Sequence, residues 1–600
     1  MKKTARHLPS SHDSVWRCWL LFLPLAFPAF AQTSNWPNRF LDLPRPDSCR
    51  TFLMRLTEEP HVAGTEPGFA MTEYVMKKFK SYGLITEMPA YDVYLPYPKK
   101  VEFKITQPIQ FTGPTPEAGF VGDKDSFGPD VIMPFHAYSP SGAAEGQVVY
   151  ANYGMPEDYE KLDQLGIAVR DRIALVRYGK CFRGVKVRGA EERGAAGVLI
   201  YSDPADDGYM QGDIYPYGPM RPETGIQRGS VQYMFIYPGD PLTPGWGATG
   251  AAERNAAERA RNLPRIPSLP ISYGDAEKIL RNLAGPNVPK GWQGGLPFAY
   301  HVGPGPAALQ INVVMDYQIR PIWNVIGTLR GKDEPENIVI IGNHRDAWTY
   351  GAVDPGSGTA VLLELARNFS ELVKQGYRPR RTIQFASWDG EEYGLLGSTE
   401  WVEHHRTLTS RNVVAYVNID AAVSGDRFEV GASPTLRTFV QQIAGMVPDP
   451  KSGRSVLSRW WQQQNENKKK KVEPNWGAVD TLAVNIDDLG AGSDFTAFLD
   501  FAGVPCISMS FGGPYGVYHA LYDNFYWMEK FGDPTFAYHA AMTKIAGLLT
   551  MTLADRPAIP IDVSAYAKQL RREVKNVQTS LKELDAKPVT QLDDLSKKVT

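Results

Sequence analysis

The segment Asn337-Ile-Val-Ile-Ile-Gly342, followed at once by Asn343-His-Arg-Asp346, decides the fold of this 600-residue chain. Four successive β-branched residues predict a strand, and their unbroken apolar character is typical of a strand covered on both faces. Polar residues directly after such a strand lie at its carboxyl end, where open α/β sheets bind their ligands. The segment therefore predicts a buried parallel strand with a functional site at its end.

Similar apolar runs recur at 382–387, 413–419 and 505–510. Helical patterns at Thr359–Phe369 and from Leu396 onward separate these runs, as expected for parallel strands joined by crossover helices. We therefore predict an α/β domain over residues 319–556, with a mostly parallel sheet covered by helices.

The rest of the chain is divided by changes of pattern. Residues 32–100 would form the first part of the α/β domain. Residues 101–318 carry short runs rich in Val, Ile and Tyr between Gly, Pro and Asp turns, which predicts an inserted β-rich domain with one helix at Val187–Gly194. Residues 557–600 are helical and polar and end without a stop signal, so we expect the start of an incomplete C-terminal helical domain.

The first 31 residues have the pattern of a signal peptide. Lys2, Lys3 and Arg6 precede the apolar stretch Cys18–Ala31, which ends in Ala29-Phe30-Ala31. That stretch is too short to span a bilayer, and no later segment is predicted to do so. We expect cleavage after Ala31 and export to a periplasm or to the exterior.

Charge and cysteine content exclude two classes of function. Lys+Arg total 64 against 66 Asp+Glu, so no basic excess exists to bind a nucleic acid, and the Lys468–Lys471 run is read as a solvated loop. After cleavage Cys49, Cys181 and Cys506 remain, too widely spaced for a thiolate zinc site. Any metal must be bound by His, Asp or Glu.

Five such residues follow the predicted strands or lie in the Gly-rich loop before the first helix. They are His344, Asp354, Glu392, Asp420 and His519. One His and one carboxylate for each of two metals, with Asp354 bridging them, leaves an open position for a shared water. Nitrogen and oxygen donors of this kind suit zinc, so the sequence predicts a two-zinc hydrolase.

The neighbouring residues supply the remaining chemistry. Of Glu391 and Glu392 only one can point at a metal without crowding, and we assign Glu391 as the general base. Asp346 is placed to accept the second ring N–H of His344. Tyr518, beside a ligand, could donate a hydrogen bond to a developing oxyanion.

These motifs resemble the glutamate carboxypeptidase II family of two-zinc exopeptidases. The motifs are Asn343–Trp348, Asp354–Gly358, Ser387–Trp401, Asn418–Asp420 and Tyr518–Asp523. The resemblance covers nearly all of the chain after the signal and implies that residues 101–318 are a protease-associated apical domain. It implies the same five zinc ligands and the same base.

Further residue roles follow from the resemblance alone. It implies that Arg183 anchors a substrate α-carboxylate, with Tyr518 near the substrate carbonyl. It also implies a structural calcium ion held by Thr243, Trp246, Glu400 and Glu403, where Trp246 stands in place of the family's usual Tyr. An all-oxygen ligand set is suitable for calcium.

Other positions depart from the family pattern. Ser230 and Ser493 stand where glutamate-specific members have Asn, and the arginine cluster that reads an acidic penultimate residue is missing. Strict preference for acidic dipeptides is therefore not expected. The family's C-terminal helical domain is much longer than residues 557–600, and we expect a homodimer if that domain is complete.

The sequence thus predicts an exported zinc carboxypeptidase acting on dipeptides or short peptides. An aminopeptidase of the same fold remains open, although its site would have to bind an amine where Arg183 favours a carboxylate. The alternative of another class is a non-catalytic protein like the transferrin receptor, a relative that has lost the metals.

Overall fold

The computed structural model describes residues 35–466 and 484–583. The predicted signal peptide, the Lys468–Lys471 run and the last part of the predicted helical segment lie outside these residues. Within the described part of the chain, no helix is long and apolar enough to cross a bilayer.

The strands, in chain order, are β1 (Ile85–Glu87), β2 (Ala90–Gln107), β3 (Phe111–Gly113), β4 (His136–Ala137), β5 (Gly142–Tyr150), β6 (Ile173–Arg177), β7 (Gly197–Tyr201), β8 (Gly229–Ser230), β9 (Ser268–Ile271), β10 (Ala308–Trp323), β11 (Val325–Leu329), β12 (Glu334–His344), β13 (Arg381–Trp388), β14 (Val413–Asn418), β15 (Arg427–Ala432) and β16 (Cys506–Gly512). The helices are α1 (Trp36–Leu41), α2 (Pro46–Leu56), α3 (Glu66–Ser81), α4 (Pro156–Gln164), α5 (Arg183–Glu192), α6 (Pro204–Asp207), α7 (Tyr273–Leu280), α8 (Gly356–Lys374), α9 (Glu391–Gly394), α10 (Leu396–His404), α11 (Arg406–Asn412), α12 (Arg437–Met446), α13 (Val456–Asn465), α14 (Phe525–Trp527), α15 (Ala537–Asp555) and α16 (Val563–Glu583).

One seven-stranded sheet has the order β1-β11-β13-β12-β14-β16-β15. Its four central strands, β13, β12, β14 and β16, are parallel, while the strands on either side run antiparallel. These central strands are the four apolar runs of the sequence, and the predicted α/β class with a mostly parallel sheet is confirmed.

The central strand β12 shows why this sequence makes a two-faced sheet. Successive side chains point to opposite faces. Val339 and Ile341 pack into the core formed with α8 and α15, whereas Ile338 and Ile340 pack into the core that contains Trp388. Full burial of each such side chain contributes about 1.5–3 kcal/mol. The four-residue apolar run is thus explained by helices and aromatic side chains on both faces.

A second seven-stranded sheet, of order β3-β2-β10-β5-β6-β7-β9, lies in the inserted region. The long strands β2 and β10 pair antiparallel along their whole length, from Ala90 opposite Trp323 to Gln107 opposite Ala308. The boundaries drawn at 100/101 and 318/319 therefore fall inside a continuous ribbon. The prediction of a single helix in this region was wrong, because α4, α6 and α7 are present beside α5.

Candidate active site

The carboxyl ends of the parallel strands bring the predicted residues together. His344 is the last residue of β12, and Asp420 lies two residues beyond β14. Glu391 and Glu392 open α9 after Gly390, whose φ of 74° makes the sharp turn out of β13 that glycine tolerates best. The topology of the sheet therefore gathers residues that are far apart in sequence.

Gly358 allows the Asp354 loop to approach Asp420. A Cβ atom on Gly358 would lie 1.9 Å from the carbonyl oxygen of Ile419 and 2.1 Å from that of Asp420. A side chain at this position would push the start of α8 away from the end of β14. The short Asp354–Gly358 motif thus acts by close backbone packing as well as by its carboxylate.

The metal-competent groups form two clusters, and the donor atoms of each cluster all lie within 4.8 Å of one another. The clusters are His344 with Glu391 and Asp420, and Asp354 with Glu392 and His519. All five predicted ligands are therefore brought together, and the predicted base joins the first cluster. Glu392 lies closer to its histidine, 3.1 Å from His519 Nε2, than Glu391 does, 3.8 Å from His344 Nε2.

Asp354 links the two clusters. Its Oδ1 lies 3.3 Å from His344 Nε2, and its Oδ2 lies 3.2 Å from His519 Nε2. One carboxylate thus presents a separate oxygen to each histidine, which is the arrangement expected of a bridging ligand. Burial alone would raise the pKa of Asp354, but its interactions with the two neighbouring histidines hold it below its ordinary value.

The outer ring nitrogens of both histidines face backbone carbonyl groups. His344 Nδ1 lies 3.0 Å from the carbonyl oxygen of Asp346, and His519 Nδ1 lies 3.2 Å from that of Arg228. An N–H donated to these oxygens leaves each Nε2 free as a ligand. Burial lowers the pKa of His519 to about 4, which keeps its ring neutral.

Asp346 acts differently from the role predicted for its carboxylate. That carboxylate lies 3.5 Å from His344 Nδ1, farther than the residue's own backbone carbonyl. It accepts instead from the N–H groups of Glu391 at 3.0 Å and Glu392 at 3.3 Å. Asp346 thus orients the histidine through its main chain and the two glutamates through its side chain.

The donor set fits divalent cations. Burial raises the pKa of Glu391 and Glu392 well above the ordinary value, and neighbouring carboxylates, Asp420 for Glu391 and Asp354 for Glu392, raise it further. Asp354 Oδ1 and Glu392 Oε1 are buried without a hydrogen-bond partner in the described structure. A bound cation would supply both the missing charge and the missing partner, and imidazole with carboxylate favours zinc.

Arg183, at the start of α5, reaches the same site from the inserted region. Its Nη2 lies 2.9 Å from His519 Nδ1 and 3.4 Å from the hydroxyl of Tyr518. The side chain is 9% exposed, its Nε has no partner, and no carboxylate in the described residues forms an ion pair with it. Burial raises the pKa of Tyr518, so that its hydroxyl stays protonated beside the guanidinium.

The two serines predicted at substrate positions have other partners. Ser230, 1% exposed, donates to the carbonyl of Tyr393 at 2.7 Å. Ser493 donates to the carboxylate of Asp420 and accepts from Asn418 Nδ2 at 2.9 Å. In this structure Ser493 supports a metal-competent carboxylate, and Ser230 bonds to the backbone of α9.

The predicted calcium ligands lie near a third buried acid, Asp240. Both carboxylate oxygens of Glu400 accept backbone N–H groups, from Asp240 at 2.7 Å and Ala248 at 2.6 Å, and Glu403 accepts from Gly245 at 2.7 Å. Thr243 and Trp246 lie in the same turn. Burial raises the pKa of Glu400 well above its ordinary value and that of Glu403 to about 7.

Two acids that were not predicted hold the site in place. Asp523 accepts from the N–H groups of Val353 at 2.9 Å and Asp354 at 3.2 Å. Glu117 pairs with Arg228 at 2.8 Å and accepts from the Leu521 N–H at 3.1 Å, which ties the inserted region to the His519 loop. Asp523 ends the Tyr518–Asp523 motif and could have been found there, but nothing near Glu117 in sequence indicates its role.

Comparison with known proteins agrees with this site. Residues 324–533 match peptidase family M28, and residues 144–234 match the PA domain. The chain is 41% identical over 535 residues to the probable glutamate carboxypeptidase LAMP1 of Arabidopsis thaliana, which covers 88% of this chain and 74% of that protein. It is 35% identical over 562 residues to aminopeptidase NAALADL1 of Mus musculus, covering 89% and 74%. The peptidase M28 precursor from Shewanella amazonensis SB2B has the same fold, with a TM-score of 0.53 at 15% identity over 87% of this chain and 97% of that one.

Identity of this extent, together with the donor clusters at the sheet edge, makes the chain a metallopeptidase, as predicted. It belongs to the glutamate carboxypeptidase II family, within peptidase family M28. The relatives include proteins named as carboxypeptidases and as aminopeptidases. Family membership alone therefore does not show whether a peptide is cleaved at its C-terminal or its N-terminal end.

Proposed function

We propose that the chain is an exported two-zinc carboxypeptidase that removes the C-terminal residue of dipeptides or short peptides. Arg183 carries this proposal, because it is a buried guanidinium beside Tyr518 and His519 without an acidic partner in the described residues. A buried cation is costly unless it is paired, and the α-carboxylate of a substrate would pair it. An N-terminal amine would be repelled at the same position.

The chain's own residues account for the other requirements of hydrolysis. When bound, two zinc ions would acidify a shared water and polarise the scissile carbonyl. Arg183 would hold the terminal carboxylate by paired hydrogen bonds, which fixes the scissile bond beside the clusters. Glu391 would accept the proton of the attacking water and return it to the leaving nitrogen, and Tyr518 would donate to the developing oxyanion.

An aminopeptidase is the second candidate, favoured by the similarity to NAALADL1. The non-catalytic alternative is opposed by the presence of all five ligands and of Glu391 at one site. The two ends of a peptide can be separated with N-acetylated and C-amidated forms of one dipeptide.

We expect the exported, purified protein to begin at Gln32, to bind about two zinc ions per chain, and to cleave the N-acetyl dipeptide but not the amide. Cleavage of the amide alone would establish the aminopeptidase. Bound zinc without turnover of either substrate would favour the binding protein.

The family resemblance and the buried acids support a calcium ion beside Glu400 and Glu403. The carboxylates alone do not form a donor cluster in the described structure, so carbonyl oxygens of the Thr243–Trp246 turn would complete the all-oxygen set. Adding calcium to zinc-loaded protein should stabilise it by about 2.7 kcal/mol at one hundred times the dissociation constant. Thermal unfolding would measure this shift.

Glu403→Gln should abolish the calcium-dependent shift. Glu253→Gln, which changes an exposed acid in the neighbouring loop, should retain it. An equal shift in the wild type and in Glu403→Gln would contradict a calcium site at this position.

A further inference from the structure

A cavity of about 440 Å³ continues from the metal-competent site toward the edge of the large sheet. Asp354, Asp420 and Tyr518 line one side of it. The other side includes Glu429 on β15 and Asp487, with Ser508 and Ser510 of β16 between the two sides. The cavity therefore joins the proposed reaction site to a wall that carries extra acids.

Glu429 and Asp487 lie close together in this wall of the cavity. The backbone of Asp487 bonds to Val430 and to Ala432, next to Glu429 on the same strand. Neither carboxylate forms an ion pair in the described part of the chain, whereas their neighbour Asp488 is paired with Arg437 and Arg572. Burial and the charge of Asp487 raise the pKa of Glu429, although Arg427 opposes this.

The order of contacts across the site gives the direction of a bound peptide. Arg183 touches His519, His519 touches Asp354, Asp354 touches His344, and His344 touches Asp420 at 2.8 Å. A terminal carboxylate held at Arg183 would place the residue on the amino side of the scissile bond beyond Asp420, in the cavity. Asp354, which is 8% exposed and whose Oδ1 has no hydrogen-bond partner in the described residues, lines the same cavity.

We propose that Glu429 and Asp487 form a subsite that selects a cationic group on the amino side of the scissile bond. This inference rests on the proposed carboxypeptidase function. The cation could be a lysine or arginine side chain, or the α-ammonium group of a free dipeptide. In either case the site is dipolar, with a guanidinium for the carboxylate at one end and two carboxylates for the cation at the other.

The test compares kcat/KM for three N-acetyl dipeptides that share a C-terminal leucine. Lysine, norleucine or glutamate occupies the first position, so that the first two differ mainly in charge. We expect lysine to exceed norleucine about tenfold and glutamate about a hundredfold, with both ratios smaller at high salt. In Glu429→Gln with Asp487→Asn, the lysine-to-norleucine ratio should fall to near one.

A free norleucyl-leucine dipeptide separates the two sources of the cation. If the subsite binds the α-ammonium group, removing the acetyl group should raise kcat/KM in the wild type and not in the double variant. Asp500→Asn, which removes an exposed acid outside the cavity, is the charge control and should keep the wild-type ratios.

Different results would contradict the proposed subsite and the proposed carboxypeptidase function. No cleavage of any acetylated substrate by zinc-loaded wild type would overturn the proposed carboxypeptidase. Cleavage of all three would uphold it, but a lysine-to-norleucine ratio near one in the wild type, with no gain from a free amine, would overturn the subsite. Ratios that survive in the double variant would overturn it as well.

Discussion

Glu391→Gln should lower kcat by about 10³-fold while the protein still binds two zinc ions per chain. The effect is large because general base catalysis contributes about 10²–10⁴-fold and an amide cannot accept the proton of water. Glu391 is 8% exposed, and its N–H remains fixed by Asp346, so the isosteric change should preserve the fold. Zinc content and steady-state kinetics on the N-acetyl dipeptide are the two measurements.

Zinc content must be measured because Glu391 lies next to a proposed metal position. It shares a donor cluster with His344 and Asp420, just as Glu392 does with Asp354 and His519. Glu392→Gln is therefore the matched control, since it should lose zinc as well as activity. Loss of zinc in Glu391→Gln and retention in Glu392→Gln would reverse the assigned roles.

The sequence predicted the centre of the fold and the residues at the strand ends well. Parallel strands buried on both faces leave unbroken apolar runs such as Ile338–Ile341, and the polar residues after them fall at one edge of the sheet. The short helices α4, α6 and α7 were missed because each has fewer than ten residues and the strand signals around them are stronger. Such helices depend on packing rather than on periodicity.

Contacts between distant parts of the chain could not be predicted. Glu117 and Arg228 form a buried pair next to the His519 loop, although hundreds of positions separate Glu117 from Leu521. Ser493 shows the same limit, because its hydrogen bond to Asp420 could not be predicted from the motif that contains it. Sequence patterns identify which groups are present, but the partner of each polar atom depends on the three-dimensional packing.

Arg183→Met should lower kcat/KM for the N-acetyl dipeptide by about 10²–10³-fold, because truncating one member of a buried charge pair costs about 2–5 kcal/mol. The amidated dipeptide, which the wild type is not expected to cleave, should remain uncleaved by the variant. Arg183→Lys should give only partial activity, because an ammonium group cannot make the two parallel hydrogen bonds of a guanidinium. Arg188→Met on the same helix is the control, as Arg188 pairs with Glu192 at the surface.

The contact between Arg183 and His519 makes zinc content part of this test too. His519 Nδ1 cannot accept from Arg183 and also donate its N–H to the Arg228 carbonyl. A metal on Nε2 requires the N–H at Nδ1, which would direct the guanidinium away from the ring and toward a substrate carboxylate. Arg183→Met should therefore retain zinc. If the variant loses zinc, Arg183 positions His519 and does not bind the carboxylate at the end of the peptide.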